Sequence, residues 1–371
     1  MERRCFFPLP MVLVVGAWNA LGVSSPAQEE PRSVLDSAYA KTKTAESIED
    51  FTGIIALCNQ ARAKELSPQL SEYSKQLLSW THNRRGEVYA EQAAKLLESG
   101  QKGQAGELDA KALADFEKAV EFDSSRWKPI HNRGVSYALV GKYEKALADF
   151  SRVVELKPDY SNAWFNLGEI RRELGELDKA VDDYSRAIRL KPDDFGALMG
   201  RGQAFFRLRR LREALEDFQR SLVLNPHSAD AYANRGDTYQ GLGMWEQAAE
   251  DLRHANQLDK MSSRAYQAAA WLMATCPEAR FRQADLAVQA AEHAIQLAGT
   301  RDQRCLDTLA AAYANAGRFD EAVTTLNKAM DSTKNERDRV ALQGRMRLYK
   351  SGKPYRQEQP AASQSGSSPR Q

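Results

Sequence analysis

The chain has 371 residues, with 52 Lys and Arg against 50 Asp and Glu and a formal net charge of +2. This is long enough for two ordinary domains, and the absence of a basic run or stripe argues against a nucleic-acid partner. Four cysteines without a CxxC pair argue against a disulfide framework: Cys5 lies in the first residues, and Cys58, Cys276 and Cys305 allow one bridge at most and read as small buried apolar residues.

Residues 1–27 read as a signal peptide. Glu2-Arg3-Arg4 supply a charged start, and Phe6 to Val23 form an apolar core interrupted by Pro8, Pro10 and Asn19. Ser25-Pro26-Ala27 places small residues at −3 and −1 of a cleavage site after Ala27. The alternative is a membrane anchor made by an uncleaved N-terminal segment. No cysteine follows the apolar core, which argues against a lipid anchor. Beyond Ala27 no apolar run approaches the ~20 residues of a spanning helix, so no integral membrane span is expected after cleavage.

Residues 28–78 are expected to form divergent N-terminal helices, after a short flexible leader at 28–32. Phe51, Ile54, Ile55 and Cys58 keep an i, i+3, i+4, i+7 stripe. Ser67-Pro68 offers an N-cap and a first helical residue for a long helix ending near Ser99. Residues 79–126 hold His82, Arg85, Gly86 and Tyr89 on its first half and Ala112, Phe116 and Ala119 on its second. These fit positions 4, 7, 8, 11, 20, 24 and 27 of the pattern that follows only if about 14 extra residues intervene. They are read as an inserted loop centred on Gly100–Gly106.

From 127 to 262 that pattern runs four times with a 34-residue period, beginning at Trp127, Ser161, Phe195 and Ala229. Position 8 is glycine (Gly134, Gly168, Gly202, Gly236) and position 20 is alanine (Ala146, Ala180, Ala214, Ala248). Position 24 is Phe150, Tyr184, Phe218 and Leu252. At 100° per residue, positions 4, 7, 8 and 11 share one helical stripe, and 20, 24 and 27 share another. Gly141, Gly175 and Gly243 at position 15 mark the end of the first helix, and Pro158, Pro192 and Pro226 the end of the second. Glycine at 8 and alanine at 20 are expected to be where the paired backbones approach. No unit can bury its apolar face alone, so neighbours must stack.

This pattern resembles the tetratricopeptide repeat, a helix–turn–helix unit of the same length. The resemblance implies an all-α fold, an α-solenoid of such repeats wound as a right-handed superhelix. Residues 263–302 read as a degenerate repeat, because the first helix breaks in the WLMATCP segment ending at Pro277 before Ala284, Ala287, Ala291 and Ile295 resume a stripe. Residues 303–336 recover the repeat. Residues 337–354 read as a capping helix with Leu342, Met346 and Tyr349 inward, and 355–371 as a disordered tail. WLMATCP followed by DTLAAAYANAG is similar to a variant found in envelope-associated bacterial repeat proteins. That implies an exported protein of the bacterial periplasm or cell envelope.

No constellation points to catalysis. None of His82, His131, His227, His254 and His293 stands in a metal-ligand spacing, and there is no GK[ST] phosphate loop or nucleophile elbow. No catalytic residue, cofactor or metal is expected. The rival expectation is an exported enzyme or enzyme subunit with a site at the degenerate repeat or in the inserted loop.

One polar pattern does recur. Arginine holds position 7 at Arg85, Arg133, Arg201 and Arg235, and aspartate holds position 23 at Asp115, Asp149, Asp183, Asp217 and Asp251. A ladder of Arg–Asp pairs between helices is expected, with partner binding through the arginines as the alternative. In the family, positions 2, 5, 9 and 12 line a concave groove, with position 6 beside them. Here they make a candidate partner-binding surface of Trp80, Asn83, His131, Asn132, Asn162, Phe165, Asn166, Glu169, Met199, Gln203, Phe206, Asn234, Asp237 and Gln240. The basic clamp with which some members hold a C-terminal carboxylate is missing: Asn166 matches one of its asparagines, but His131, Val135, Gly196 and Gly200 stand at its other positions. The expected function is a non-catalytic protein–protein interaction scaffold that takes protein or peptide partners, with its oligomeric state left open.

Overall fold

A computed structural model describes residues 26–299, 302–333 and 336–358. These residues form seventeen α-helices and one short 3-10 turn, with no strand among them. They divide into two compact units, one ending at Pro192 and one starting at Asp193. The expected signal peptide, apart from its last two residues, and the tail beyond Glu358 lie outside the described residues.

In the first unit α1 (Pro26–Thr42) and α2 (Ile48–Arg62) are followed by α3 (Pro68–Glu98), α4 (Lys102–Phe122), α5 (Trp127–Leu139), α6 (Tyr143–Leu156), α7 (Ser161–Glu173) and α8 (Leu177–Leu190). Residues 28–32, expected as a flexible leader, belong to α1. Burial of Leu35 and Ala38 in a cluster with Phe51, Ile54, Cys58 and Leu78 orders that segment despite Pro31 inside the helix. Ser47 caps α2 through a reciprocal box with Asp50, and Ser67 Oγ accepts the Leu70 amide ahead of Pro68 at the start of α3.

The expected loop around Gly100–Gly106 is absent. Only Ser99, Gly100 and Gln101 connect α3 to α4, with Gly100 at φ 80°. Compared with the regular pairs, α3 runs seven residues further and α4 starts seven residues earlier. Seven residues are close to two helical turns, so both apolar faces stay in phase through the extension. Ala93 and Ala105, one on each extension, are buried.

The second unit comprises α9 (Phe195–Arg207), α10 (Leu211–Leu224), α11 (Ala229–Gly241), α12 (Trp245–Leu258), α13 (Ser263–Thr275), α14 (Ala284–Ala298), α15 (Gln303–Asn315), α16 (Phe319–Ser332) and α17 (Glu336–Lys350). The helices α5 to α12 are the eight expected across 127–262. The 3-10 turn Ala279–Phe281 occupies the break after Pro277. Leu342, Met346 and Tyr349 of α17 pack with Leu306 and Leu326, as a terminal cap should. Within 353–358, which include the expected start of a disordered tail, Arg356 and Gln357 are bonded to the end of α13.

At position 8 the missing side chain is replaced by the residue at position 24. A Cβ on Gly168 would come within 2.7 Å of the Tyr184 ring, and one on Gly202 within 2.7 Å of the Phe218 ring. The residue at position 24 therefore takes the space that the missing side chain leaves, which is why no larger residue fits there.

Candidate functional site

The position-7 arginines and position-23 aspartates face each other within single helix pairs. Arg133 Nε and Nη2 donate to Asp149 at 2.9 and 2.6 Å, Arg201 to Asp217 at 2.7 and 2.7 Å, and Arg235 to Asp251 at 2.7 and 2.8 Å. Arg85 makes the same fork to Asp115 at 2.8 and 2.8 Å, joined by His82 Nδ1 at 2.8 Å. Burial raises the Asp115 carboxyl, but the Arg85 and His82 bonds outweigh it and hold the group below its ordinary value. Position 7 of the Ser161 unit is Leu167, and there Arg171, one turn further on, reaches Asp183 with a single Nη1 contact at 2.6 Å. Burial pushes Asp183 up to about 6, which that one bond offsets only in part. These arginines are committed to the fold.

In the first unit most of the expected groove residues are also enclosed. Asn83 Nδ2 donates to Glu87 at 2.9 Å, and Asn132 Nδ2 donates to Asn83 Oδ1 at 2.9 Å and to Glu87 at 3.2 Å. His131 Nδ1 lies 3.4 Å from Asn132 Oδ1, and Asn166 Nδ2 donates to His131 Nε2 at 3.1 Å. Asn83, Asn132, His131 and Asn166 thus form a buried chain linking α3, α5 and α7 rather than an open surface. Phe165 is 7% exposed, with its ring 6.0 Å from that of Tyr184, and it belongs to the core. Trp80 packs edge-on to Phe51 at 6.0 Å. Glu169 accepts from Tyr184 and from Arg172, and Asn162 donates to the Tyr160 hydroxyl at 3.4 Å.

The chain of amides requires a neutral imidazole. Asn166 Nδ2 is a donor, so His131 Nε2 must accept and the ring proton sits on Nδ1. Burial pushes the His131 pKa down to about 4. The folded state therefore binds this proton less readily than the unfolded chain does, near 6.5. Stability from this group is complete above pH 6.5 and falls as pH drops towards 4, by about 3 kcal/mol in all. Urea melts at pH 7 and pH 4.5 should show this slope, and His131→Gln should flatten it. An unchanged slope in the variant rejects the assignment.

The second unit does open a pocket, of about 240 Å³, whose lining includes Phe206, Asp237 and Gln240 from the expected groove face. Asp237 pairs with Arg264 and accepts from Gln240 Nε2 at 3.1 Å, and Arg264 also bonds Asn234 at 3.2 Å. Gln203 of the same face is half-buried, whereas Met199 is buried and receives Ser221 Oγ at 3.4 Å. The rest of the lining includes Gln267, Trp271, Arg304, Asp307, Thr308 and Gln357. Arg345 of α17 holds Asp307 through two bonds at 2.8 and 2.7 Å, while burial pushes that carboxyl up against its pull. Arg209 stands at the position where the neighbouring units carry glycine, at φ 63°. Holding a long cation at the rim in that conformation costs about 1 kcal/mol.

Gln267, Trp271, Arg304 and Asp307 were missed by the sequence reading, although the same register finds them. They occupy positions 5 and 9 of the degenerate repeat and 2 and 5 of the last one. The three cysteines Cys58, Cys276 and Cys305 are free and buried, and burial raises the Cys58 thiol to about 12. Among the described residues no cluster of His, Cys, Asp or Glu could hold a metal ion, and no helix is long and apolar enough to cross a membrane.

The tetratricopeptide repeat family matches residues 132–195, 195–228, 229–260 and 306–340. No curated protein sequence matches the chain. Similar solved structures include YrrB, described as a tetratricopeptide repeat protein with an unusual peptide-binding site. It is 26% identical and covers 48% of this chain and 89% of its own, at a TM-score of 0.40. MamA from Desulfovibrio magneticus RS-1 is 19% identical, covering 48% and 96% at a TM-score of 0.41. PilF from Pseudomonas aeruginosa is 16% identical, covering 58% and 93% at a TM-score of 0.47. The matched stretches fall on the helix pairs of α5 to α12 and α15 to α16, with the spacing and contacts described above. The chain is a tetratricopeptide repeat protein.

Proposed function

We propose that this protein is a non-catalytic scaffold that binds an extended peptide or a protein segment in the groove of its second unit. The observation that carries this reading is the pocket among α9, α11, α13 and α15. It combines an aromatic floor from Trp271 and Phe206 with amides and charges that can read a peptide backbone. Its carboxylates are already paired, Asp237 with Arg264 and Asp307 with Arg345, which suits recognition better than proton transfer. The rival enzyme reading loses one of its two sites, because the expected inserted loop is two helical extensions.

Arg304 lines the pocket while its side chain stays largely exposed. Arg304 also stands 3.6 Å from Asp237, so Arg304→Glu should weaken capture of partners about tenfold and cost no more than about 1 kcal/mol of stability, the size of a lost exposed pair. The test is a pull-down with the purified chain and this variant, compared by quantitative mass spectrometry. Equal capture by both rejects the groove. We further propose that the protein works outside the cytoplasm in a bacterial cell envelope, on the strength of its charged start, apolar core and Ser25-Pro26-Ala27. The N-terminal peptide of the native protein should begin at Gln28, and an intact Met1 would favour the anchored form.

A further inference from the structure

α13 ends differently from the regular first helices. In α11 the chain closes on Gly243 at φ 74°, and the amides of Gly243 and Met244 return to the Gln240 and Tyr239 carbonyls at 3.0 and 2.9 Å. That turn satisfies the last carbonyls from within. α13 has no such turn, because Cys276 leaves the helix at φ −55°, ψ 133° and Pro277 has no amide to return. Its orphaned carbonyls are answered from elsewhere. The Gln283 amide donates to Met273 O at 3.2 Å, and just beyond the helix Arg282 Nη1 donates to Cys276 O and Pro277 O at 2.9 and 2.7 Å.

The carbonyls of Ala274 and Thr275 are filled by the chain's own C-terminal segment. Arg356 Nη1 donates to Ala274 O at 2.9 Å, and the Gln357 amide donates to Thr275 O at 2.9 Å. Gln357 Nε2 adds bonds to Thr275 Oγ1 at 2.8 Å and Gln240 Oε1 at 3.1 Å, and Arg356 Nη2 reaches Asn315 Oδ1 at 2.9 Å. The Tyr355 ring lies 5.8 Å from Trp271, with the Arg345 guanidinium 5.5 Å from each ring. The segment thus contacts α11, α13, α15 and α17 through one aromatic ring, one arginine and one amide.

We propose that the open end of α13 and its flanking groove are a docking site for an extended peptide. Tyr355–Gln357 is its resident occupant, and a partner enters by displacing it with an aromatic–arginine–amide sequence of its own. This deepens the groove reading above and rests on it. Two features favour displacement over a permanent seal. The resident segment is held by hydrogen bonds to neutral oxygens and by ring contacts, which an incoming segment can reproduce one for one. The open pocket also begins at Gln357, so a longer partner segment gains contacts that the resident residues do not make. Tethering gives the resident segment an effective concentration in the millimolar range, which sets the advantage a partner must overcome.

The test uses a fluorescently labelled peptide of residues 353–358 and a chain ended at Gly352, followed by anisotropy. The peptide should bind the shortened chain at least about tenfold more tightly than the full chain. Arg356→Ala in the peptide should weaken binding about tenfold, and 0.5 M salt should change it little because the contacts pair no opposite charges. No binding to a shortened chain of unchanged helical circular dichroism overturns the proposal, as does equal binding to both chains. If shortening reduces the helical signal, the full chain carrying Tyr355→Ala and Arg356→Ala must bind the peptide more tightly than the unmodified chain, and equal binding again overturns it. If Arg304→Glu abolishes partner capture while shortening leaves it unchanged, the resident-segment proposal falls and the groove reading stands. If neither change affects capture, both fall.

Discussion

Phe165→Ala should remove about 3–5 kcal/mol of stability and should alter partner binding only by unfolding the region around it. Phe165 sits at position 5 of α7, on the face that repeat register assigns to the groove, yet it is 7% exposed and packs beside Tyr184. Tyr184 itself fills the space over Gly168, so a cavity at Phe165 would border a contact that has no slack. The loss should be local, because repeats are stabilised by their immediate neighbours. Hydrogen exchange should accelerate in α7 and α8 more than in α1 and α2. A change below about 1 kcal/mol, the size expected of a surface site, would return Phe165 to the groove.

Arg235→Met should cost about 3 kcal/mol at pH 7, because it leaves the buried Asp251 carboxylate without either of its two charge-assisted bonds. The arginine is partly open to water, so the estimate stays at the low end of the range for a broken buried pair. Its guanidinium also lies 5.3 Å from Tyr232 and 5.8 Å from Tyr239, and methionine keeps some of the packing along the stem but none of the cation–π attraction. The double variant Arg235→Met, Asp251→Leu should recover most of the loss, since an apolar pair of similar volume removes the stranded charge. A double variant as unstable as the single one would show that the pair holds the helices by geometry that apolar contact cannot replace. Chemical melts of the four combinations give the coupling energy directly.

The ladder shows how far sequence reasoning reached. The recurrence of arginine at 7 and aspartate at 23 was enough to expect the pairing, and the four forks Arg85–Asp115, Arg133–Asp149, Arg201–Asp217 and Arg235–Asp251 are present. Which aspartate each arginine takes was not legible, since neighbours in the same unit and the next one present the same residue type. The Ser161 unit, with Leu167 at position 7, is instructive because Arg171 serves Asp183 from one turn further on. A strict column rule misses it, whereas the helical face does not.

The candidate site divides in the same way. The register of positions 2, 5, 9 and 12 puts side chains on one helix face, and in the second unit Phe206, Asp237 and Gln240 from that face meet Gln267, Trp271, Arg304 and Asp307, which the sequence reading had not named, around one pocket. In the first unit the same register names Asn83, His131 and Phe165, and these are enclosed, because α3, α5 and α7 come close enough to bond across that face.

Spacing made legible the helix pairs, their ends at Gly141, Gly175 and Gly243, the facing columns of arginine and aspartate, and the resemblance to the tetratricopeptide repeat. The helix pairs and their ends belong to a single helix and its turn, which is why spacing and capping reveal them. Packing, not spacing, makes the residues around Gly100–Gly106 extend two helices, makes His131 a buried neutral link, and returns Tyr355–Gln357 to the end of α13. The physical reason is common to all three. A stripe on a helix says which side chains travel together, but burial and bonding depend on how near the next element comes, and at α13 on which distant segment supplies the donors that Pro277 lacks.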